Sequence, residues 1–552
     1  MARTDRDIQQ WPPGTLLLDE ESTNQRDIVL QPQPTSDPND PLNWEHWRKY
    51  LNFGLTCLYV LLTTEFLCAA TPTWGPMHEQ LGFSWAILNN SYALGCGFLA
   101  IGAVLLTPPA LKLGRRPLYI ISTIIIFAVS IWSAKMTKVV DLMLVNVFSC
   151  LSGALSEVMV QMTIADMFFV HERGLMNSIF IWTAQIGASL GALVAGFVTS
   201  SQGWRWVWWW NSIFFGASVL LFSFFYEETK YIPLPVPLEG VSPISENEHE
   251  HEHIQSGSGK ITEEDKTKRT SPVSTPDKST DQVQKREALL TSAIIDPTIP
   301  QRSYLQRLSL FTISPGGWKS FLLHSWHPFI ILATFPAVLF SALAYGVLVA
   351  LQNTLSTTMS SRMTLAPYNF SADQIGLMNM APFIGVSIAS MIVGSVSDRW
   401  IVYAAHRNQG VYEPETRLWI LIPFIPFVLA GALIFGIGIE LGLAWPVIAV
   451  GTGLCQFGGS SINIIVLTYI TDSYNDIVGD ALVGVTFIRN AVSTAFIFAL
   501  DPWFNAIGIR NVVISMAVIA TFVLSFVAVF LRWGKWFRAR TASRYRRYAL
   551  FE

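Results

Sequence analysis

Long apolar stretches alternate with short polar ones twelve times along this chain, and a polar segment over residues 229–325 splits them six and six. The pattern predicts helices over 51–70, 87–108, 118–134, 142–165, 175–200 and 207–225. A second set follows over 329–351, 375–396, 418–439, 444–470, 481–505 and 509–531. Each approaches the roughly 20 apolar residues that carry a helix across a lipid bilayer. A chain that crosses twelve times and repeats after six builds two halves around a shared path, which suits alternating access by a carrier. The expected fold class is therefore an all-α membrane protein, twelve transmembrane helices in two pseudo-symmetric six-helix bundles.

Five units follow. Residues 1–50 form a polar, Pro-rich cytosolic tail, expected to be disordered, and 51–228 the N-terminal six-helix bundle. Residues 229–325 are a linker loop, 326–533 the C-terminal six-helix bundle, and 534–552 a basic tail. The linker is rich in Glu, His, Lys, Ser and Thr and has too little apolar surface to fold alone. Its run from Glu246 to His253 reads as a solvated segment before it reads as a metal site. Ser271-Pro272 and Thr275-Pro276 are candidate phosphorylation sites.

Composition agrees with the pattern. Only 14% of residues are charged, against about 25% in soluble domains. Many of the 20 Trp and 35 Phe fall near the ends of the apolar runs, where aromatic belts meet the headgroups. A net charge of -3 gives no ground for a nucleic-acid partner. Cys57, Cys68, Cys96, Cys150 and Cys455 all lie inside apolar runs and read as small buried hydrophobes, neither a disulfide framework nor metal ligands. No nucleophile–base set and no phosphate-cradling loop stands out, so an enzyme is not the expectation, no cofactor is expected, and an ion gradient is the energy source. The polar start predicts no cleavable signal peptide, the first helix serving as the insertion signal.

Basic residues set the orientation. Lys112, Arg115 and Arg116 follow the second run, Arg399, Arg407 and Arg417 the eighth, and seven Lys or Arg from Arg532 to Arg547 the twelfth. The opposite loops are poorer, with Lys135, Lys138, Arg205, Arg362 and Arg510. Both termini and the linker are thus expected in the cytosol. The sequon Asn369-Phe370-Ser371 then falls outside, making Asn369 a candidate glycosylation site.

An ionisable group inside a bilayer costs a few kcal/mol unless it faces a wet cavity or a partner. Glu65 in the first helix and Glu157 in the fourth are such groups, and each is a candidate for binding a cationic substrate, the coupling proton, or both in competition. The alternative for each is a structurally paired acid. Arg489 in the eleventh helix needs an anion beside it, with Asp472 and Asp480 as candidates, and a structural ion pair is its expected role. Neutral polar residues inside the runs are Gln161, Gln185, Asn211, Gln352, Asn353, Asn379, Gln456 and Asn463. They divide between solute contacts, for which Gln161, Gln185 and Asn463 are the choices, and interhelical hydrogen bonds. Tyr345 and Tyr92 are candidate cavity aromatics.

Leu113-Gly114-Arg115-Arg116-Pro117 after the second helix and Gly394-Ser395-Val396-Ser397-Asp398-Arg399 after the eighth are short basic loops at matching places in the two halves. They resemble the signature of the major facilitator superfamily. Further matches are Asp166-Met167-Phe168-Phe169-Val170-His171-Glu172-Arg173-Gly174, Gly203-Trp204-Arg205-Trp206, Tyr412-Glu413-Pro414-Glu415-Thr416-Arg417-Leu418, Tyr469-Ile470-Thr471-Asp472-Ser473-Tyr474 and Ile488-Arg489-Asn490. With the tail Asp37-Pro38-Asn39-Asp40-Pro41-Leu42-Asn43-Trp44, they resemble the fungal twelve-span drug:proton antiporters, on the branch of polyamine and organic-cation transporters and metabolite efflux pumps. The resemblance implies gating and interhelix roles for Gly114, Arg115, Arg116, Asp166, Glu172, Arg173, Asp398, Arg399, Asp472 and Arg489. The chain departs from the family pattern at Leu111, at Ser149 where an Arg is usual, and at Gly191-Ala192 where Gly-Pro is usual.

The leading expectation is a proton-coupled secondary transporter exporting a small organic molecule, a metabolite or xenobiotic, from a monomer in the plasma membrane or, alternatively, the vacuolar membrane. The partners are then the solute, protons and the lipid bilayer. Proton-coupled uptake of polyamines or other organic cations is the second reading, and a non-transporting nutrient sensor the third.

Overall fold

The structure, a computed structural model, describes residues 11–17, 35–231, 299–314, 317, 325–408, 411–474 and 477–549. The runs from Glu246 to His253 and the Ser271 and Thr275 sites lie outside the described residues. Among those described, twelve helices are long and apolar enough to span a bilayer. The first bundle contains α1 (His46–Leu81), α2 (Trp85–Leu113), α3 (Arg116–Lys135), α4 (Val139–Met167), α5 (Leu175–Gln202) and α6 (Trp204–Phe225). The second contains α7 (Pro336–Arg362), α8 (Ala372–Ile401), α9 (Pro414–Glu440), α10 (Trp445–Ser473), α11 (Val478–Ile507) and α12 (Ile509–Tyr548). An even number of crossings puts the start of α1 and the end of α12 on one face, the terminus face; the opposite one is the far face.

Local chemistry sets the breaks. Gly82, Gly203 and Gly508 hold positive φ where α1 turns to α2, α5 to α6 and α11 to α12. Backbone hydrogen bonds have to be satisfied within each span, because lipid offers no partners. The α1 helix is interrupted after Cys68 by a 3-10 turn over Thr71–Thr73, one turn beyond Glu65. Large apolar side chains such as Leu105, Val194, Phe197, Leu220, Val518 and Phe522 are exposed on the outside of the bundles. In water that would be unfavourable, whereas against lipid tails it carries no penalty.

The bundles meet through α2 against α11 and α5 against α8. Helix α5 packs closely along Ala372–Met378 at the start of α8 and far less along Met380–Arg407. Along this seam the contact is therefore concentrated at the far face. Two segments outside the spans lie on the terminus face. A two-residue strand β1 (Leu16–Leu17) pairs antiparallel with β2 (Val411–Tyr412) between α8 and α9, and the backbone N–H groups of Thr312 and Ser314 donate to the carbonyls of Leu113 and Lys112 at the end of α2.

Candidate functional site

The basic loop between α2 and α3 is organised around one carboxylate. Gly114 holds φ +104°, and a Cβ there would strike the Glu228 carboxylate. Glu228 accepts the backbone N–H groups of Arg115 at 2.9 Å and Arg116 at 3.1 Å, capping the start of α3 as an anion does at a helix N-terminus. Burial raises the Glu228 carboxyl above its ordinary range, against those N–H bonds, and lowers neighbouring Lys230 to about 8. The Arg115 guanidinium reaches Asp166 at the end of α4 at 3.0 Å. Arg116 donates to the Ser223 carbonyl at 2.6 Å.

The second half repeats this device. Arg417, entering α9, pairs with Asp472 at the end of α10 at 2.5 Å and donates to Ser397 Oγ at 2.8 Å. Tyr412 hydrogen-bonds the same carboxylate. Asp166 and Asp472 are thus counterparts, each tying the end of the fourth helix of its bundle to the connection between the second and third. Of the other motif residues, Glu172 accepts the Phe169 N–H at 3.4 Å and Arg399 is exposed. The side chains of Arg173 and Asp398 lie outside the described residues.

Between the bundles, Glu157 of α4 forms an ion pair with Arg489 of α11. Asn490 Nδ2 donates to Glu157 Oε2 at 3.0 Å, and Arg489 Nη1 donates to the Tyr345 hydroxyl of α7 at 3.1 Å. The Arg489 guanidinium also lies 5.0 Å from the Tyr345 ring centroid. At 1.5 Å per residue, Glu157, Arg489 and Tyr345 each sit about 14–17 Å along their helices from the terminus face. That depth is near the middle of a 30 Å hydrocarbon core. The anion expected for Arg489 was Asp472 or Asp480; instead it is Glu157. Asp472 is held by Arg417, and Asp480 approaches His327 Nδ1 at 3.7 Å. Nine residues, about 14 Å of helix, separate Asp480 from Arg489, so a direct pair is out of reach. The pair joins the two bundles at mid-depth and does not fix helix ends within one.

Glu65 occupies a separate site inside the first bundle. Its Oε1 accepts from Asn211 Nδ2 of α6 at 3.1 Å. Its Oε2 is buried with no partner among the described residues, as is Asn211 Oδ1. Gly191 of α5 lies against it, since a Cβ at Gly191 would come within 2.5 Å of Glu65 Cγ. At about 28 Å from the start of α1, Glu65 lies nearer the far face than Glu157 does. The two acids are not one cluster. Gln161 is half-buried one turn beyond Glu157, Gln185 is half-buried on α5, and Asn463 is buried on α10, its Oδ1 without a partner among the described residues.

Other contacts between the bundles escaped the sequence reading. Asn89 Nδ2 approaches both carboxylate oxygens of Asp501 at 3.3 and 3.4 Å, and Ser200 Oγ donates to Asp373 at 2.7 Å. Both pairs close the far face. Tyr92, a candidate cavity aromatic, donates to Asn353 at 3.4 Å across the halves, and Asn353 donates to Ser493 at 2.8 Å. Asp501 had a signal that was available: an acid embedded in an apolar run.

The Major Facilitator Superfamily profile matches residues 99–365. An uncharacterized MFS-type transporter of Schizosaccharomyces pombe, C1271.10c, is 31% identical, over 97% of this chain and 94% of its own. Protein HOL1 of Saccharomyces cerevisiae is 28% identical over 93% of this chain and 91% of its own. The MFS antiporter QDR3 of Candida albicans is 25% identical over 76% and 68%. Among solved structures, the human organic anion transporter MFSD10 has a similar fold, with TM-score 0.53 at 14% identity, covering 87% of this chain and 99% of that one. A POT family transporter in complex with 5-aminolevulinic acid gives TM-score 0.56 at 11% identity, covering 90% and 98%. Two six-helix bundles with a repeated acid–arginine loop device, matched along nearly their whole length by such relatives, lead to one assignment: the chain belongs to the major facilitator superfamily and is an MFS-type transporter.

Proposed function

We propose that this transporter is a proton-coupled carrier that exports a small organic molecule, with the terminus face in the cytosol. The observation that carries the reading is the Glu157–Arg489 pair across the two bundles, backed by Asn490 and Tyr345. A carboxylate that holds the halves together at mid-depth is loosened when a proton neutralises it or a cationic group competes for it, and either event favours rearrangement of the bundles. Basic loops on the terminus face support the orientation, and the similarity to QDR3, an MFS antiporter, supports gradient coupling. Alternating access needs a far face that opens, and the Asn89–Asp501 and Ser200–Asp373 contacts are the groups that part in that step.

Uptake of polyamines or other organic cations is the second reading, favoured by Glu65. Among the described residues its carboxylate has an amide partner, no ion pair, and one oxygen unpaired. An ammonium group or a proton satisfies that oxygen equally well. Labelled spermidine accumulation in cells lacking or overexpressing the protein, with Glu65→Gln and Glu157→Gln variants, separates the readings. Export predicts no accumulation and increased tolerance to toxic organic compounds. Accumulation that rises with expression and vanishes in both variants reverses the direction. Proton coupling through these acids is refuted if both variants keep the wild-type pH dependence of transport.

A further inference from the structure

We propose that the terminal helix Val527–Ala549 carries a binding surface for the anionic headgroups of the bilayer leaflet at the terminus face. This helix forms the last part of α12 and contains Arg532, Lys535, Arg538, Arg540, Arg544, Arg546 and Arg547 with no acidic residue. One side of it is fully engaged with the C-terminal bundle. Phe530 stacks on Phe340, Arg538 is buried in a bidentate pair with Glu415, and Tyr545 and Tyr548 meet Tyr474 and His327. The helix therefore lies along the bundle's terminus face, across the ends of α9 and α10 and the segment leading into α7.

The side not used for packing is unusual in what it combines. At 100° per residue, Arg532, Trp533, Trp536, Arg540, Arg544 and Arg547 fall within one arc of about 120°. The packed residues occupy the neighbouring arc. Trp533 and Trp536 are 54% and 53% exposed, and the Arg540 guanidinium stacks over Trp536 at 5.2 Å. Among the described residues none of these four arginines has an acidic partner, whereas Lys535 is paired with Glu413. Continued back along α12, the same arc contains Val518, Phe522 and Phe526, all exposed. The stripe that faces lipid tails thus becomes, without changing side, a stripe of indoles and then of guanidiniums. Indoles settle at the headgroup level and arginines beyond it bind anionic headgroups, which is the order found here. A protein partner would need this order to end at the bilayer, and a solvated helix has no use for two exposed indoles.

The test uses the purified full-length protein in detergent, titrated with dioctanoyl phosphatidylserine, dioctanoyl phosphatidylcholine, glycerophosphoserine and polyglutamate. Phosphatidylserine should bind at least tenfold more tightly than phosphatidylcholine. Four arginines at roughly fivefold each set the ceiling on that preference. The R532Q/R540Q/R544Q/R547Q variant should lose the preference, the milder R540Q/R547Q should lose part of it, and K535Q should keep it. Equal binding of the two lipids overturns the proposal, as does a preference that survives both arginine variants. Binding of glycerophosphoserine or polyglutamate as tight as that of phosphatidylserine also overturns it, since the surface then reads charge without a membrane.

Discussion

Replacing Glu157 by glutamine tests whether the two bundles are held by a coupled charge pair. The Arg489 and Glu157 side chains are 13% and 23% exposed, so both charges are largely withdrawn from solvent. Removing one partner of a buried pair costs about 3–5 kcal/mol, mostly because the other charge is stranded. Glutamine retains an acceptor for Asn490, worth about 1 kcal/mol, and Arg489 keeps the Tyr345 hydroxyl. The expected loss is therefore about 3 kcal/mol, at the lower end of that range. Arg489→Gln strands the carboxylate and should cost a similar amount. The double variant strands neither, so its loss should be no larger than either single one, giving a coupling of at least about 3 kcal/mol. Chemical unfolding in detergent micelles, followed by tryptophan fluorescence, measures all four corners of the cycle. Single losses that add to within about 0.5 kcal/mol would show that the two groups act independently and would refute the reasoning.

Four further outcomes follow from the geometry. A Cβ at Gly376 would sit 3.0 Å from the Leu193 carbonyl, so Gly376→Val should wedge the far face open, seen as increased labelling of a cysteine introduced at Ser200. Gly191→Ala should displace Glu65 from Asn211 and reduce transport at least tenfold, while overpacking costs only about 1–3 kcal/mol in unfolding experiments. Asp166→Asn and Asp472→Asn should destabilise to within about 1 kcal/mol of each other, because each breaks the equivalent pair in its bundle; unfolding of the two variants side by side checks this. Asn369 is exposed in the turn before α8, so Asn369→Gln should remove a glycosidase-sensitive mass shift if the far face is the extracytosolic one.

The twelve spans were legible because lipid enforces a plain rule: every crossing needs a long apolar run with its backbone bonds satisfied internally. The ends moved, as α1 beginning at His46 instead of residue 51 shows, because amphiphilic residues such as Arg48 and Lys49 continue the helix into the headgroup zone. Rotation about each helix axis was not legible. Runs apolar on every side give no sign of which face meets a neighbour. For that reason the amides could be named but not sorted, and Asn211 beside Glu65 or Asn353 beside Ser493 emerged only from the fold. The matching of Asp166 with Asp472 was similarly hidden, since the arginines they bind, Arg115 and Arg417, occupy different points of their connecting segments.

The partner of Arg489 is a different case, because depth alone would have found it. On the boundaries that the apolar pattern predicts, Glu157 lies eight residues from the terminus-face end of its helix and Arg489 eight residues from the same end of its own. Both therefore stand about 12 Å into the bilayer, whereas Asp472 and Asp480 fall outside the predicted runs altogether. An arginine at that depth cannot reach an acid at the surface without a large cost in stretching or in local water, while an acid at equal depth on a facing helix meets it directly. Nearness along the chain favoured the two aspartates, and it is a poor guide in a protein whose halves face each other from opposite ends of the sequence. Polar and ionisable groups in such a chain are better paired first by depth and only then by sequence, a rule that also brings Asn89 and Asp501 together near the far face.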